Sequence, residues 1–202
     1  GSAVNVGGYD GITIKNCMIY EYNTATTYAI SASSADSLIV YNNSIYADNS
    51  NSRAISASTS TNDFNATENT MVVGSGYGIY LTNFAYDFIL INNTINSTGS
   101  SSVYFYGVRG VVDNNVFQKP LTIVCGNPSW CDHSIAEDNY VNNKPVLIKT
   151  GPANFNDLAY DNINFSDYGQ VAFAYVSRLN ITNSNFTGTG TTYGVTGGLF
   201  GS

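Results

Sequence analysis

One six-residue pattern recurs through the chain: an apolar residue, any residue, two turn formers, any residue, and a second apolar residue. It reads "IKNCMI" at 14–19, "VYNNSI" at 40–45, "ATENTM" at 66–71, "LINNTI" at 90–95, "VDNNVF" at 112–117, "AEDNYV" at 136–141, "YDNINF" at 160–165 and "ITNSNF" at 181–186. Its first turn position falls at Asn16, Asn42, Glu68, Asn92, Asn114, Asp138, Asn162 and Asn183, in steps of 26, 26, 24, 22, 24, 24 and 21 residues. A further apolar run follows each copy, among them "YAISAS" (28–33), "RAISAS" (53–58), "YGIYLT" (77–82) and "LTIV" (121–124). Short β-branched and aromatic runs bounded by Gly, Asn and Ser read as strands, and no useful stretch carries the 3.6-residue period of a helix. Units this small cannot bury their own apolar side. They must stack, each strand pairing in parallel with its counterpart in the next unit.

The spacing therefore predicts an all-β, single-domain parallel solenoid of about eight coils, 21–26 residues per coil and three short strands in each. Residues 1–8 read as a lead-in, with a tag remnant at 1–2, residues 9–197 as the solenoid and 198–202 as a C-terminal tail. The turn chemistry fits a tight bend: Asn tolerates the left-handed backbone, and its amide both donates and accepts. Stacked at the spacing of neighbouring strands, about 4.8 Å, the residues at the first turn position are expected to form an inward ladder of side chains. Glu68 and Asp138 interrupt that ladder with acceptor-only carboxylates, read as structural rungs in preference to catalytic acids.

The "NN" turns followed by strands such as "SGYGIYLTN" (75–83) resemble those of the right-handed parallel β-helix family, which includes pectate-lyase-like enzymes and surface β-helix repeat proteins. The resemblance covers about residues 9–197. It implies a right-handed coil and leaves the activity open, because that fold hosts lyases, hydrolases, epimerases, adhesins and inert scaffolds. Polygalacturonase-like members are expected to carry Asn-Thr-Asp, Asp-Asp and Gly-His-Gly strings, and none of these occurs here. No catalytic residue is assigned. Asp36, Asp63 and Asp87 recur at steps of 27 and 24, and read either as turn initiators or as a column offering oxygen ligands to a hard cation such as calcium. The turn reading is preferred, and no cofactor or metal is expected.

Composition narrows the setting. Charged residues make up only 10% of the chain, and the polar surface is supplied by Asn, Ser, Thr, Gly and sixteen Tyr. That is far below the roughly 25% of ordinary soluble domains and suits an extracellular or cell-surface protein. A net charge of −7 without a basic cluster argues against nucleic acid and anionic membranes, and no apolar run is long enough to insert in a bilayer.

Chemistry is expected where the period stretches. "CGNPSWCDH" (125–133) and "KTGPANFND" (149–157) are expected to occupy the same bend of successive coils and so to lie side by side. Trp130, Asp132 and His133 from one, with Asn154 and Asp157 from the other, form a candidate glycan site, aromatic rings and amides being suited to sugar faces and hydroxyls. The alternative is that Trp130 plugs the insertion and His133 is polar filler. Cys125 and Cys131 are expected to form a short disulfide loop, leaving Cys17 unpaired, in preference to free thiols or a zinc site. Tyr20 with Tyr46, and Tyr80 with Tyr104, should stack outward as sheet reinforcement or as a sugar platform. Of seven Asn-x-Ser/Thr sequences, Asn42 and Asn92 are expected to be locked in the ladder, whereas Asn65, Asn96, Asn164, Asn180 and Asn185 face outward as glycosylation candidates.

Three functions remain. The preferred one is a non-catalytic extracellular scaffold or adhesin module of a cell-surface layer, sheath or appendage, with carbohydrate or other surface molecules as partners. Its copies would stack end to end, or it would belong to a longer parent chain. A carbohydrate-active enzyme (polysaccharide lyase, hydrolase or epimerase) is the alternative. An accessory protein resembling the β-helix factors of copper-enzyme maturation comes third, and a single His and two Met argue against it.

Overall fold

The computed structural model describes residues 2–22, 27–59, 61–83, 86–124, 132–151, 157–176, 178–186 and the strand at 192–194. Its strands wind into a solenoid of about seven turns. Three sheets form the walls. The first contains β1 (Ser2–Gly7), β4 (Tyr28–Ser33), β7 (Arg53–Ser58), β10 (Tyr77–Thr82), β13 (Val103–Tyr106) and β16 (Leu121–Val124); the second contains β2 (Thr13–Lys15), β5 (Ile39–Tyr41), β8 (Asn65–Thr67), β11 (Tyr86–Ile91), β14 (Arg109–Asp113) and β17 (Ser134–Ile135). The third begins with β3 (Met18–Glu21), β6 (Ser44–Ala47), β9 (Thr70–Val73), β12 (Thr94–Ser97), β15 (Val116–Phe117) and β18 (Tyr140–Val141). Residues 1–8, expected as a lead-in, are largely strand: Val4 pairs with Ile30 and Val6 with Ala32.

Parallel register converts the sequence period into columns. One inward column of the first sheet runs Val4, Ile30, Ile55, Ile79, Val103, Leu121. In the third sheet Ile19, Ile45, Met71, Ile95, Phe117 and Val141 form another. Each fully buried large member contributes about 1.5–3 kcal/mol relative to exposure, and further inward residues such as Ala32, Ala57, Leu81 and Phe105 add a second column beside the first. Outside, Tyr20 stacks on Tyr46 and Tyr80 on Tyr104, with ring centroids 4.8 and 4.9 Å apart.

The buried ladder exists at the expected turn but one residue later in the sequence. Asn43, Asn69, Asn93, Asn115 and Asn139 are buried. The backbone N–H and Nδ2 of Asn43 both donate to Asn69 Oδ1 at 3.0 Å, those of Asn69 to Asn93 Oδ1 at 3.0 Å, and those of Asn93 to Asn115 Oδ1 at 2.8 and 3.0 Å. Asn115 repeats this toward Asn139. Each Nδ2 also donates to a carbonyl of the preceding coil, in order those of Ile14, Val40, Ala66, Leu90 and Val112, at 2.8–2.9 Å. At the first coil Cys17 takes the position and donates its N–H to Asn43 Oδ1.

Asn16, Asn42, Glu68, Asn92, Asn114, Asp138, Asn162 and Asn183, expected inward, are exposed. All except Asp138 are left-handed, with φ between 49° and 59°. A left-handed residue between two strands breaks the alternation of faces, so its own side chain stays outside and the next one enters the core. Some outer neighbours still bond, as Asn42 Nδ2 does to Asn16 Oδ1 (2.9 Å) and Asn114 Nδ2 to Asn92 Oδ1 (2.7 Å). Being outside, Glu68 is no rung: it bonds the Tyr41 hydroxyl, which raises that phenol's pKa. Asp138 accepts the Asn114 N–H and shares a hydrogen bond with Asp113, whose pKa it raises.

The uniform winding ends at Asn142 and Asn143. Both are left-handed (φ 51° and 63°) and join β18 to β19 (Lys144–Thr150) as a two-residue antiparallel hairpin, Val141 facing Lys144. Two consecutive left-handed residues are the signature of the type I′ turn. From there β21 (Gln170–Ala174) and β23 (Thr192–Gly194) extend the third sheet parallel to β19, while β20 (Leu158–Asp161) and β22 (Leu179–Thr182) pair separately. The two faces of β19 serve different cores: Val146 and Ile148 pack in the main one, whereas Leu147 joins Phe165, Val171 and Phe173 in a second. Gln170 closes the end of the first sheet, its amide accepting from Leu121 N and donating to Leu121 O, both at 2.8 Å. The hairpin accounts for about seven turns where the motif count predicts eight.

Candidate binding cleft

Where β16 leaves the first sheet for β17 of the second, the bend carries the insertion 125–133. Cys125, Trp130 and Cys131 lie outside the described residues, as does Asn154, and with them the expected disulfide; the described Cys17 is a free, exposed thiol. At the foot of the insertion Phe88 pairs with Gly110, and His133 precedes Ser134, the partner of Val111. His133 is buried, with its ring 5.4 Å from that of Phe105 and 5.9 Å from that of Phe88. The imidazole is thus neither polar filler nor a surface ligand but part of the core's aromatic packing. Its Nδ1 is buried without a hydrogen-bond partner, and burial pushes its pKa down to about 4. Gly110 makes room for this stack: a Cβ there would lie 2.2 Å from the Phe88 carbonyl and 2.6 Å from its ring.

Beside this stack opens a cleft of about 400 Å³ lined by Asp87, Arg109, Gly110, Val111, Asp132, His133 and Ser134. Asp87 is left-handed (φ 59°) and sits where the β11–β14 register shifts, a bulge that turns its carboxylate toward the neighbouring coil. There Arg109 grips it, Nε to Oδ1 at 3.1 Å and Nη2 to Oδ2 at 3.4 Å, with the guanidinium 5.1 Å from the Tyr86 ring centroid. Asp132 and Ser134 are exposed on the opposite side of the lining sequence.

Of the expected site, the structure brings Asp132 and His133 together. It does not bring Asp157 to them: that residue immediately precedes β20, after the hairpin, and is ion-paired with Arg178. The two insertions are not the same bend, because one joins the first and second sheets and the other follows the reversed strand β19. Nor do Asp36, Asp63 and Asp87 form one column. Asp36 Oδ1 accepts the Asn62 N–H, just as Asp10 accepts that of Asp36, while Asp63 and Asp87 share the left-handed position with Gly11 and Ser37, one residue later. Among the described residues no group of three or more His, Cys, Asp or Glu could hold a metal ion. Asn96, Asn164, Asn180 and Asn185 are exposed and Asn65 half-buried, but Asn42 and Asn92 are exposed as well.

Arg109, Gly110 and Ser134 were missed in the sequence. A signal for the first was present: Arg109 follows Asp87 by 22 residues and Arg178 follows Asp157 by 21, each one coil, so opposite charges one period apart meet across coils. Comparison with protein families, with curated proteins and with solved structures gives no match. The solenoid, its cleft and its ladders are therefore read from their own geometry.

Proposed function

We propose that the chain is a non-catalytic module of an extracellular scaffold or adhesin, a right-handed parallel β-helix that presents carbohydrate-binding surface from a stiff rod in a cell-surface layer, sheath or appendage. The observation that carries this reading is how the carboxylates are used. Asp10 and Asp36 hold backbone N–H groups of the next coil; Asp87 and Asp157 are tied to arginines, Glu137 to Lys149, Asp138 to the Asn114 backbone, and Asp161 to Thr182 and Asn183. Acids spent on joining coils are poorly placed to move protons in catalysis, which needs a group free to reach a substrate. Low charge and the hydroxyl-rich, aromatic exterior agree with an extracellular setting.

A second reading is favoured by one feature alone. The cleft gathers two carboxylates, Asp87 and Asp132, as a glycosidase-type pair would be. Incubation with a polysaccharide panel, read by chain shortening and by new unsaturated ends, separates the two. Intact polymers are expected, and turnover lost in Asp132→Asn would replace the scaffold reading with the enzyme.

A further inference from the structure

We infer that the cleft between the Asp87–Arg109 pair and Asp132 is a binding subsite for a neutral carbohydrate, with Asp132 as its principal acceptor. The inference deepens the surface-binding reading above and rests on it. Most acids of this chain are engaged by a neighbouring coil, but among the described residues the Asp132 carboxylate has no hydrogen-bond or ion-pair partner, and neither has the Ser134 hydroxyl in the same lining. Arg109 spends Nε and Nη2 on Asp87, leaving Nη1 as a donor held in place by that fork. The lining thus offers an acceptor carboxylate, a hydroxyl of both kinds and a fixed donor around the exposed side chain of Val111 and the bare backbone of Gly110. Such a set suits the alternating hydroxyls and apolar face of a pyranose, and about 400 Å³ lies at the small end of ligand clefts.

Charge selects among sugars. Two carboxylates face one guanidinium, and His133 stays neutral at pH 7 because burial holds its pKa near 4. The cleft therefore keeps one net negative charge on a protein of net charge −7, which disfavours a uronate or a sulfated sugar and leaves a neutral one unpenalised.

The test is calorimetric titration of the full chain at pH 7 with cello-, manno- and galacto-oligosaccharides and with an oligogalacturonate of matched length. A neutral oligosaccharide should bind, at least about tenfold tighter than the uronate. Losing a hydrogen bond to a charged acceptor should weaken that binding about tenfold or more in Asp132→Asn. Asp48→Asn, which removes the same charge from an exposed site elsewhere, should bind as the unaltered chain does, and Arg109→Gln should weaken binding with unchanged far-UV circular dichroism. Failure of every neutral sugar to bind, unchanged affinity in Asp132→Asn, or equal affinity for the uronate would overturn the subsite and leave the scaffold reading standing. Shortened sugar chains in the same mixtures would overturn the non-catalytic reading while keeping the cleft.

Discussion

Replacing Asn93 by Ala tests the central ladder where it is most heavily bonded. Asn93 Oδ1 accepts from the N–H and Nδ2 of Asn69 at 3.0 Å each, and its Nδ2 donates to Ala66 O, Ile91 O and Asn115 Oδ1 at 2.8, 3.1 and 3.0 Å. In the variant, Asn69 keeps Val40 O and Thr67 O as acceptors for its amide but has none for its buried N–H. Ala66 O loses a donor as well. That carbonyl keeps its ladder bond from the Ile91 N–H, so only the Asn69 N–H is left unpaired, at about 1–3 kcal/mol, and with about 0.5–1.5 kcal/mol for the amide bond lost at Ala66 O the variant costs about 1.5–4.5 kcal/mol. The neighbouring Asn92→Ala keeps the buried ladder; it meets the left-handed penalty at φ 58°, about 1–2 kcal/mol, which Asn92→Gly should remove, and loses the exposed bond from Asn114 Nδ2, which water can replace. Urea unfolding followed by far-UV circular dichroism gives the ranking, and hydrogen exchange at the Asn69 amide locates it. A solenoid can open in parts, so the local measurement decides. If Asn93→Ala costs no more than Asn92→Ala, or if the Asn69 amide stays equally protected, the ladder is not what binds the coils.

Other outcomes follow from single residues. His133 is neutral when folded down to about pH 4, whereas an unfolded histidine titrates at 6.5, so the unfolded chain binds the extra proton in that window. Stability should fall by about 3 kcal/mol as pH drops from 6.5 to 4, and denaturation midpoints of His133→Phe should lose that component of the slope. Gly110→Ala should lower the thermal midpoint by the equivalent of about 1–3 kcal/mol or more, since its Cβ meets the Phe88 backbone, which cannot swing aside. Asn142→Val puts a β-branched residue at φ 51° in the hairpin; about 1–2 kcal/mol of destabilisation should appear as faster proteolysis and amide exchange in β19 and β21, with the Asn93 amide unaffected.

The coil architecture was legible because stacking imposes the same inward apolar positions on each period: "YAISAS", "RAISAS", "YGIYLT" and "LTIV" match β4, β7, β10 and β16 end to end. The ladder position was legible in principle. Asn43, Asn69, Asn93, Asn115 and Asn139 are unbroken through five coils, whereas the preceding position admits Glu68 and Asp138, which cannot donate. A two-way chain of amides requires the unbroken series. The reversal at Asn142–Asn143 also has a local mark, "VNNK", yet the same doublet marks parallel bends at Asn42–Asn43 and Asn92–Asn93. What differs is whether the second Asn is left-handed, and that depends on which strand is available to pair. The cleft was half visible: Asp132 and His133 could be named from the stretched period, but Arg109 reaches it only through the register that sets Tyr86 against Arg109. Asp157 is misplaced for the same reason as the eighth coil: a uniform period carries no sign that the chain reverses at Asn142–Asn143 and continues on the third sheet.

The tight turn at Asn142–Asn143 changes two things together: the travel direction of the strands in the shared sheet, and the side on which their apolar residues are enclosed. Either inversion alone would make the chain screw the opposite way as it advances. Both at once cancel, so the polypeptide shifts sideways onto a neighbouring parallel axis while its screw sense is conserved. The rod has a jog in it, with one strand serving as party wall between two shafts, and a turn of two residues is enough to start the offset.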